Sequence, residues 1–197
     1  MRAEGLPQRW PLPDRVEVRD ALLAAYGSEG RSYHDQRHLE EVLDRLAELG
    51  CDEVVVLLAA WFHDAVYDGR PGDEQRSAQW AERALPPELA GEVARLVRVT
   101  EDHDPADEDL AGQLLCDADL AVLASSPDRY AAYAADVREE YAHVSDRDFV
   151  AGRGAILEEL LARPSLFRTD TARRLWEETA RANVAAELER LRPSSSW

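Results

Sequence analysis

The stretch VVVLLAAWFHDAVYD, residues 54–68, opens with nine consecutive apolar residues and then places His63 and Asp64 side by side. Nine residues fall far short of the roughly 20 that span a bilayer, and an element apolar on every side is a helix buried in a globular core. An unpaired imidazole or carboxylate in such surroundings costs several kcal/mol, on the scale of a small domain's net stability. The pair therefore needs a partner, either a salt bridge or a metal ion.

Outward from this stretch the apolar residues keep a helical period, and Pro and Gly fall between the periodic segments. The pattern predicts helices over 14–27, 33–49, 52–67, 73–84, 87–104, 109–124, 127–144, 146–162 and 170–191, with no strand. Ser126-Pro127 and Pro86-Pro87 read as helix starts, and Ser145 with Asp148 reads as a capping box. The fold class is all-α, a helical bundle. With 197 residues, 45% of them apolar, no repeat, no internal linker and no low-complexity stretch beyond the terminal RPSSSW, a single domain over 1–197 is expected.

The chain carries 40 acidic and 23 basic residues, for a formal charge of −17, and the basic residues are scattered. This argues against a nucleic-acid polymer or an anionic membrane as partner. Cys51 and Cys116 lack the spacing of a disulfide framework, and the start MRAEGLPQRWPLPD has no apolar core of a leader. A cytoplasmic protein with two reduced thiols is the expectation.

Helical position decides which ionisable residues meet the core. His34 and His38 are four apart and extend a row that continues to Val42 and Leu46. The row Leu89, Val93, Leu96, Thr100 ends on His103, and Asp119 interrupts the row Leu115, Val122, Leu123, with Asp117 about 200° away around the helix. His143 falls off the apolar side of its segment and is assigned to the surface. Taken alone, His103 fits a core hydrogen bond and His63-Asp64 fits a local ion pair. Together, four of the five histidines and one or two aspartates point into the bundle from four segments. Facing helices build metal sites in this way, because the ion balances ligands that are otherwise expensive to bury.

The ordered set YHDQRHLEEV, the doublet HD at 63–64 and the later DADL resembles the HD-domain superfamily of metal-dependent phosphohydrolases, of which the cyclic-nucleotide phosphodiesterases are distant members. WFHDAVYD, DEQRSA, DADLAVL, YAAYAADVREEY and ARANVAAEL, in that order over about residues 15–190, are most similar to a bacterial group of predicted HD phosphohydrolases. Two positions depart from the pattern: Asp35 stands where the phosphodiesterases carry asparagine, and Asp73 where asparagine is more usual.

The resemblance implies an HD-type bundle in which His38, His63, Asp64 and Asp119 hold a divalent ion, with Asp117 in reserve for the fourth place. Two nitrogens and two carboxylates suit Mn, Fe, Co, Ni or Zn better than calcium, with Mg ranked below them. It implies hydrolysis of a small phosphate ester, a nucleotide by preference, with Asp64 central and His34 protonating the leaving oxygen. For His103 a second metal and a phosphate contact are both open. Asp68, four after Asp64, is a candidate to orient a ligand or water. Glu74, sharing a helical face with Ser77, is a candidate for the pocket floor. Arg37, Arg138 and Arg153 are candidates to bind phosphate, and the tyrosines of YAAYAADVREEY read as packing residues. A nucleotide- or metal-sensing module without turnover and a binuclear-iron oxygenase are the alternatives, and a homo-oligomer is left open.

Overall fold

The computed structural model describes residues 5–192, so most of the terminal RPSSSW lies outside the described residues. Among these there are nine α-helices and no strand: α1 (Val16–Tyr26), α2 (Gln36–Glu48), α3 (Val54–Phe62), α4 (Asp73–Ala84), α5 (Pro87–Val99), α6 (Leu110–Leu120), α7 (Pro127–Glu140), α8 (Asp146–Ala162) and α9 (Asp170–Leu191). Short 3-10 turns precede α1 and connect α6 to α7. No described helix is long and apolar enough to cross a membrane. The chain divides into two compact units, the first ending at Asp119 and the second beginning at Leu120.

In the first unit α3 is the central element, as its apolar run requires. Val56, Leu58, Ala59, Ala60, Trp61 and Phe62 are all buried, and α3 packs on α2, α4 and α5. The buried faces opposite it are Leu39, Val42, Leu43 and Leu46 on α2 and Val93, Leu96 and Val97 on α5. Trp10 meets Trp61 edge to face at 5.1 Å. Helices α4 and α5 pack on each other, and both bury alanines, Ala78 and Ala81 on α4 and Ala90 and Ala94 on α5, small side chains that suit close helix packing. Cys51 and Cys116 are buried free thiols.

Helix α2 starts later than predicted and α3 and α5 end earlier, each at an identifiable signal. Asp35 caps α2, its carboxylate accepting from the N–H groups of Arg37 and His38 at 2.9 and 3.1 Å, so His34 lies before the helix. Helix α3 ends at Phe62, not 67, because side chains take the main-chain groups that follow. Arg31 donates to the carbonyls of Asp64 and Ala65, and Val66 N–H donates to Ser77 Oγ at 2.9 Å. Helix α5 ends at Val99, not 104, and the chain leaves it through His103 in the left-handed region at φ 49°. Gly72, at φ 87°, supplies the left-handed turn into α4.

The second unit packs Tyr130, Tyr133 and Val137 of α7, Leu157 and Leu160 of α8, and Trp176, Ala180, Val184 and Leu188 of α9. Its core contains an ion pair: Arg153 grips Glu187 at 2.8 and 3.1 Å, and Tyr130 Oη donates to the same carboxylate at 2.6 Å. Arg153 also donates to Tyr133 Oη at 3.0 Å. It is therefore a structural residue and not a phosphate binder. Arg138 is likewise occupied, closing the end of α7 on the carbonyls of Tyr141 and Val144 and on Asp146. Asn183 of ARANVAAEL donates to the carbonyls of Leu123 and Ser125, both at 2.9 Å. Ser126 and Ser145 cap α7 and α8 through the N–H groups of Arg129 and Asp148. The Asp148 carboxylate accepts from the Ser145 hydroxyl, which completes that motif on the side chain.

Candidate metal centre

The burial of α2 against α3 sets His38 on the inner face of its first turn, where it is 2% exposed. His63 caps the C-terminus of α3, and its Nδ1 lies 2.8 Å from the Ala60 carbonyl. A carbonyl only accepts, so Nδ1 carries a hydrogen and Nε2 is the ring atom turned to the interior, where a neutral ring offers its lone pair. Without a cation, burial opposes charge on this ring and the neighbouring carboxylates outweigh it, pushing the imidazole well up towards its charged form. That Nε2 lies 3.0 Å from His38 Nε2, 3.0 Å from Asp64 Oδ2 and 3.6 Å from Asp119 Oδ1. His38 Nε2 lies 3.3 Å from Asp64 Oδ2 and 3.1 Å from Asp119 Oδ1. The ligating atoms of His38, His63 and Asp119 are all within 4.8 Å of one another, a group that could hold a metal ion.

The donor set fits a cation on chemical grounds. Two nitrogens and two carboxylate oxygens converge, and a single hydrogen on His38 Nε2 cannot serve all of its neighbours. Ligand atoms a right angle apart on an ion about 2.1 Å away lie about 3.0 Å from one another, which is the spacing of most of these pairs. The second support typical of a ligating histidine, a hydrogen bond from its other nitrogen, is present at His63. Without an ion, protons must do the balancing. Burial opposes charge on His38, and the hydrogen bonds it donates to Asp119 and Asp64 outweigh that, so the imidazole is pushed up to about 9. Burial likewise opposes ionisation of Asp64 and Asp119, and the charge of His63 outweighs it, holding both well below the usual carboxylate range.

Asp119, not Asp117, meets the two histidines, although Asp117 is the more buried at 1% exposed. His103 does face inward, with Nε2 2.8 Å from Asp119 Oδ2. One carboxylate oxygen thus faces His38 and His63 while the other faces His103. His34 is not on one helical row with His38. It sits in the turn before α2, its ring stacked on Tyr67 with centroids 3.8 Å apart and 5.7 Å from the ring of His38. Glu74 is half-buried on α4, and its carboxyl is pushed up first by burial and then by the negative charge of Asp64.

Two candidates have other partners. Asp68 is four residues after Asp64, but α3 has already ended, so no helical row joins them. Its carboxylate is 60% exposed and pairs with Arg76 at 2.9 Å. Arg37 is 54% exposed and pairs with Glu41 at 3.3 Å. His143 is on the surface as expected.

The segment after the His63-Asp64 doublet is fixed at its main chain by Tyr26, Ser77 and Asp73. Asp64 N–H donates to the hydroxyl of fully buried Tyr26 at 3.3 Å. Ser77 receives Val66 N–H and donates to its carbonyl at 3.3 Å. Asp73, itself held by Arg76, accepts from the N–H groups of Asp68 and Arg70 at 2.8 and 3.2 Å. The DEQRSA motif is therefore what holds the loop behind the doublet, and aspartate at 73 does so with acceptor oxygens alone. No family model, no curated protein and no solved structure matches this chain.

Proposed function

We propose that the protein is a metal-dependent hydrolase of small phosphate esters, nucleotides by preference, on an HD-type helical bundle. The observation that carries the reading is the convergence of His38, His63, Asp64 and Asp119. They come from the start of α2, the end of α3 and the end of α6, in the order of the motif, with donor atoms 3.0 to 3.6 Å apart. A divalent ion held there supplies a Lewis acid for a phosphoryl oxygen and lowers the pKa of water. His63 keeps its lone pair turned inward through Ala60, and Asp64 is anchored at its main chain. His34, at the edge of this group, donates the proton to the departing oxygen. Arg37, whose exposed ion pair with Glu41 is readily exchanged, binds the phosphate, and Glu74 closes the floor beside Asp64.

The test is metal analysis of protein purified without chelator, followed by turnover assays on nucleotides and simple phosphate esters with Mn, Co, Ni, Mg and Zn in turn. One ion per chain with turnover on the transition metals is expected. Full occupancy with no turnover on any ester would make the protein a sensing module instead.

A further inference from the structure

We infer that Arg31 is a positioning residue that couples the turn carrying His34 to the turn carrying Asp64, an inference that rests on the proposed function for its catalytic consequence. Its Nη1 donates to the carbonyls of His34 at 3.0 Å and Asp64 at 2.6 Å, and its Nη2 donates to the carbonyl of Ala65 at 3.1 Å. The guanidinium also lies against the rings of Tyr26 and Tyr67, 5.3 and 5.9 Å from their centroids. Tyr26 receives the N–H of Asp64, and Tyr67 stacks on His34. One cation thus holds two main-chain turns and touches the two rings that hold the same two residues.

The arrangement matters because neither His34 nor Asp64 is inside a helix. Helical hydrogen bonding places His38 and the approach to His63, but the two turns have no such ladder and must be located by side chains. A planar guanidinium reaches several carbonyls at fixed angles, whereas an ammonium is a point donor on a flexible stem. The three carbonyls set its orientation even though the buried Nε is left without a hydrogen-bond partner among the described residues. None of the three bonds goes to His38, His63 or Asp119, so Arg31 sets where the proton donor stands relative to Asp64 without itself being a catalytic residue.

The experiment is Arg31→Lys in the full chain, read three ways. Hydrogen exchange on metal-loaded protein should show residues 33–36 and 63–66 exchanging faster together. Loosening of neither segment, or of only one, would overturn the coupling whatever the protein's activity is. Metal content should stay at one ion per chain. On substrates, kcat/KM should fall at least tenfold for a nucleotide and less than threefold for p-nitrophenyl phosphate, and His34→Ala added to Arg31→Lys should lower the nucleotide rate by much less than it does alone. Equal loss on both substrates, or full additivity with His34→Ala, would make Arg31 a stabilising residue only. Should Arg31→Lys not fold, Tyr67→Leu removes the ring shared by Arg31 and His34 while sparing the three carbonyl bonds. It must then loosen residues 33–36 alone, and loosening of both segments would overturn the inference. Absence of turnover in the wild-type chain would sink the proposed function and leave the exchange result to decide the role of Arg31.

Discussion

The Nε2 atoms of His38 and His63 face each other at 3.0 Å, and Nδ1 of His63 is turned to the Ala60 carbonyl. The pair therefore brings two ring nitrogens together beside Asp119, in a group that could hold a metal ion. Asp64→Ala should weaken metal binding by more than the roughly 10- to 100-fold lost when an outer partner is removed, and should lower the melting temperature of the metal-loaded protein. Asp119→Asn should do likewise and Asp117→Asn should not. Calorimetric titration with Mn or Zn measures all three, and stoichiometric metal in the Asp64 variant would refute the ligand set.

The metal-free protein should respond to pH in a defined direction. His38 is raised from its ordinary 6.5 to about 9, so its contribution is fully present below about 6.5 and is lost as pH rises through about 9. Asp64 and Asp119 are held below their ordinary value, so theirs is present above that value and lost as pH falls through the depressed range. Melts in chelator should show stability declining from pH 6.5 to 9. Metal-loaded protein should show no such decline, because metal and proton compete for the same lone pairs. Parallel curves with and without metal would contradict this.

His34 outside the helix is free of the row geometry that would align it with His38, and its ring is fixed by Tyr67 at 3.8 Å. General-acid help is worth about 10²- to 10⁴-fold and matters most for a poor leaving group. His34→Ala should keep its metal and lose that factor on nucleotides while retaining much more activity on p-nitrophenyl phosphate. Impairment of equal size on both substrates would remove His34 from the role.

His103 combines a left-handed backbone with a 2.8 Å contact to Asp119. Asparagine tolerates that conformation, but its amide ends at the level of the ring Nδ1 and gives up the Nε2 contact. His103→Asn should therefore keep its stability and lose about tenfold or more in metal affinity. His103→Val gives up the backbone tolerance as well, so it should in addition lose about 1–3 kcal/mol of stability. Parent-like metal affinity in both variants would show that the contact supports nothing.

In the second unit the buried Arg153–Glu187 pair predicts an asymmetric response. Arg153→Met leaves a buried carboxylate and should cost about 3–5 kcal/mol, whereas Arg153→Met with Glu187→Leu should recover much of it. Urea denaturation of both variants checks this, and equal losses would contradict it.

The helices were legible because burial imposes a 3.6-residue period, and the convergence of His38, His63 and Asp119 followed from reading that period together with the order of the motif. Failures cluster where the chain leaves a helix. The row from Asp64 to Asp68 assumed a helix to 67, but competing side-chain partners end it at Phe62. Arg31 and Tyr26 carry no local signal, because the groups of Asp64 that each one holds lie more than 30 residues away. Such contacts leave no periodic trace. Arg153 reads from the sequence as a candidate phosphate binder, since nothing local announces that Glu187 lies opposite.

Every residue of the candidate centre, and Arg31, Tyr26 and Tyr67 with it, precedes Leu120, where the second compact unit begins. A chain emerging from the ribosome at about 5–20 residues per second therefore presents all of the candidate ligands several seconds before α9 is made. Under the proposed function, an ion that binds only the folded form stabilises it by mass action, so chain synthesised with added Mn or Zn should give a higher folded yield than chain synthesised with chelator.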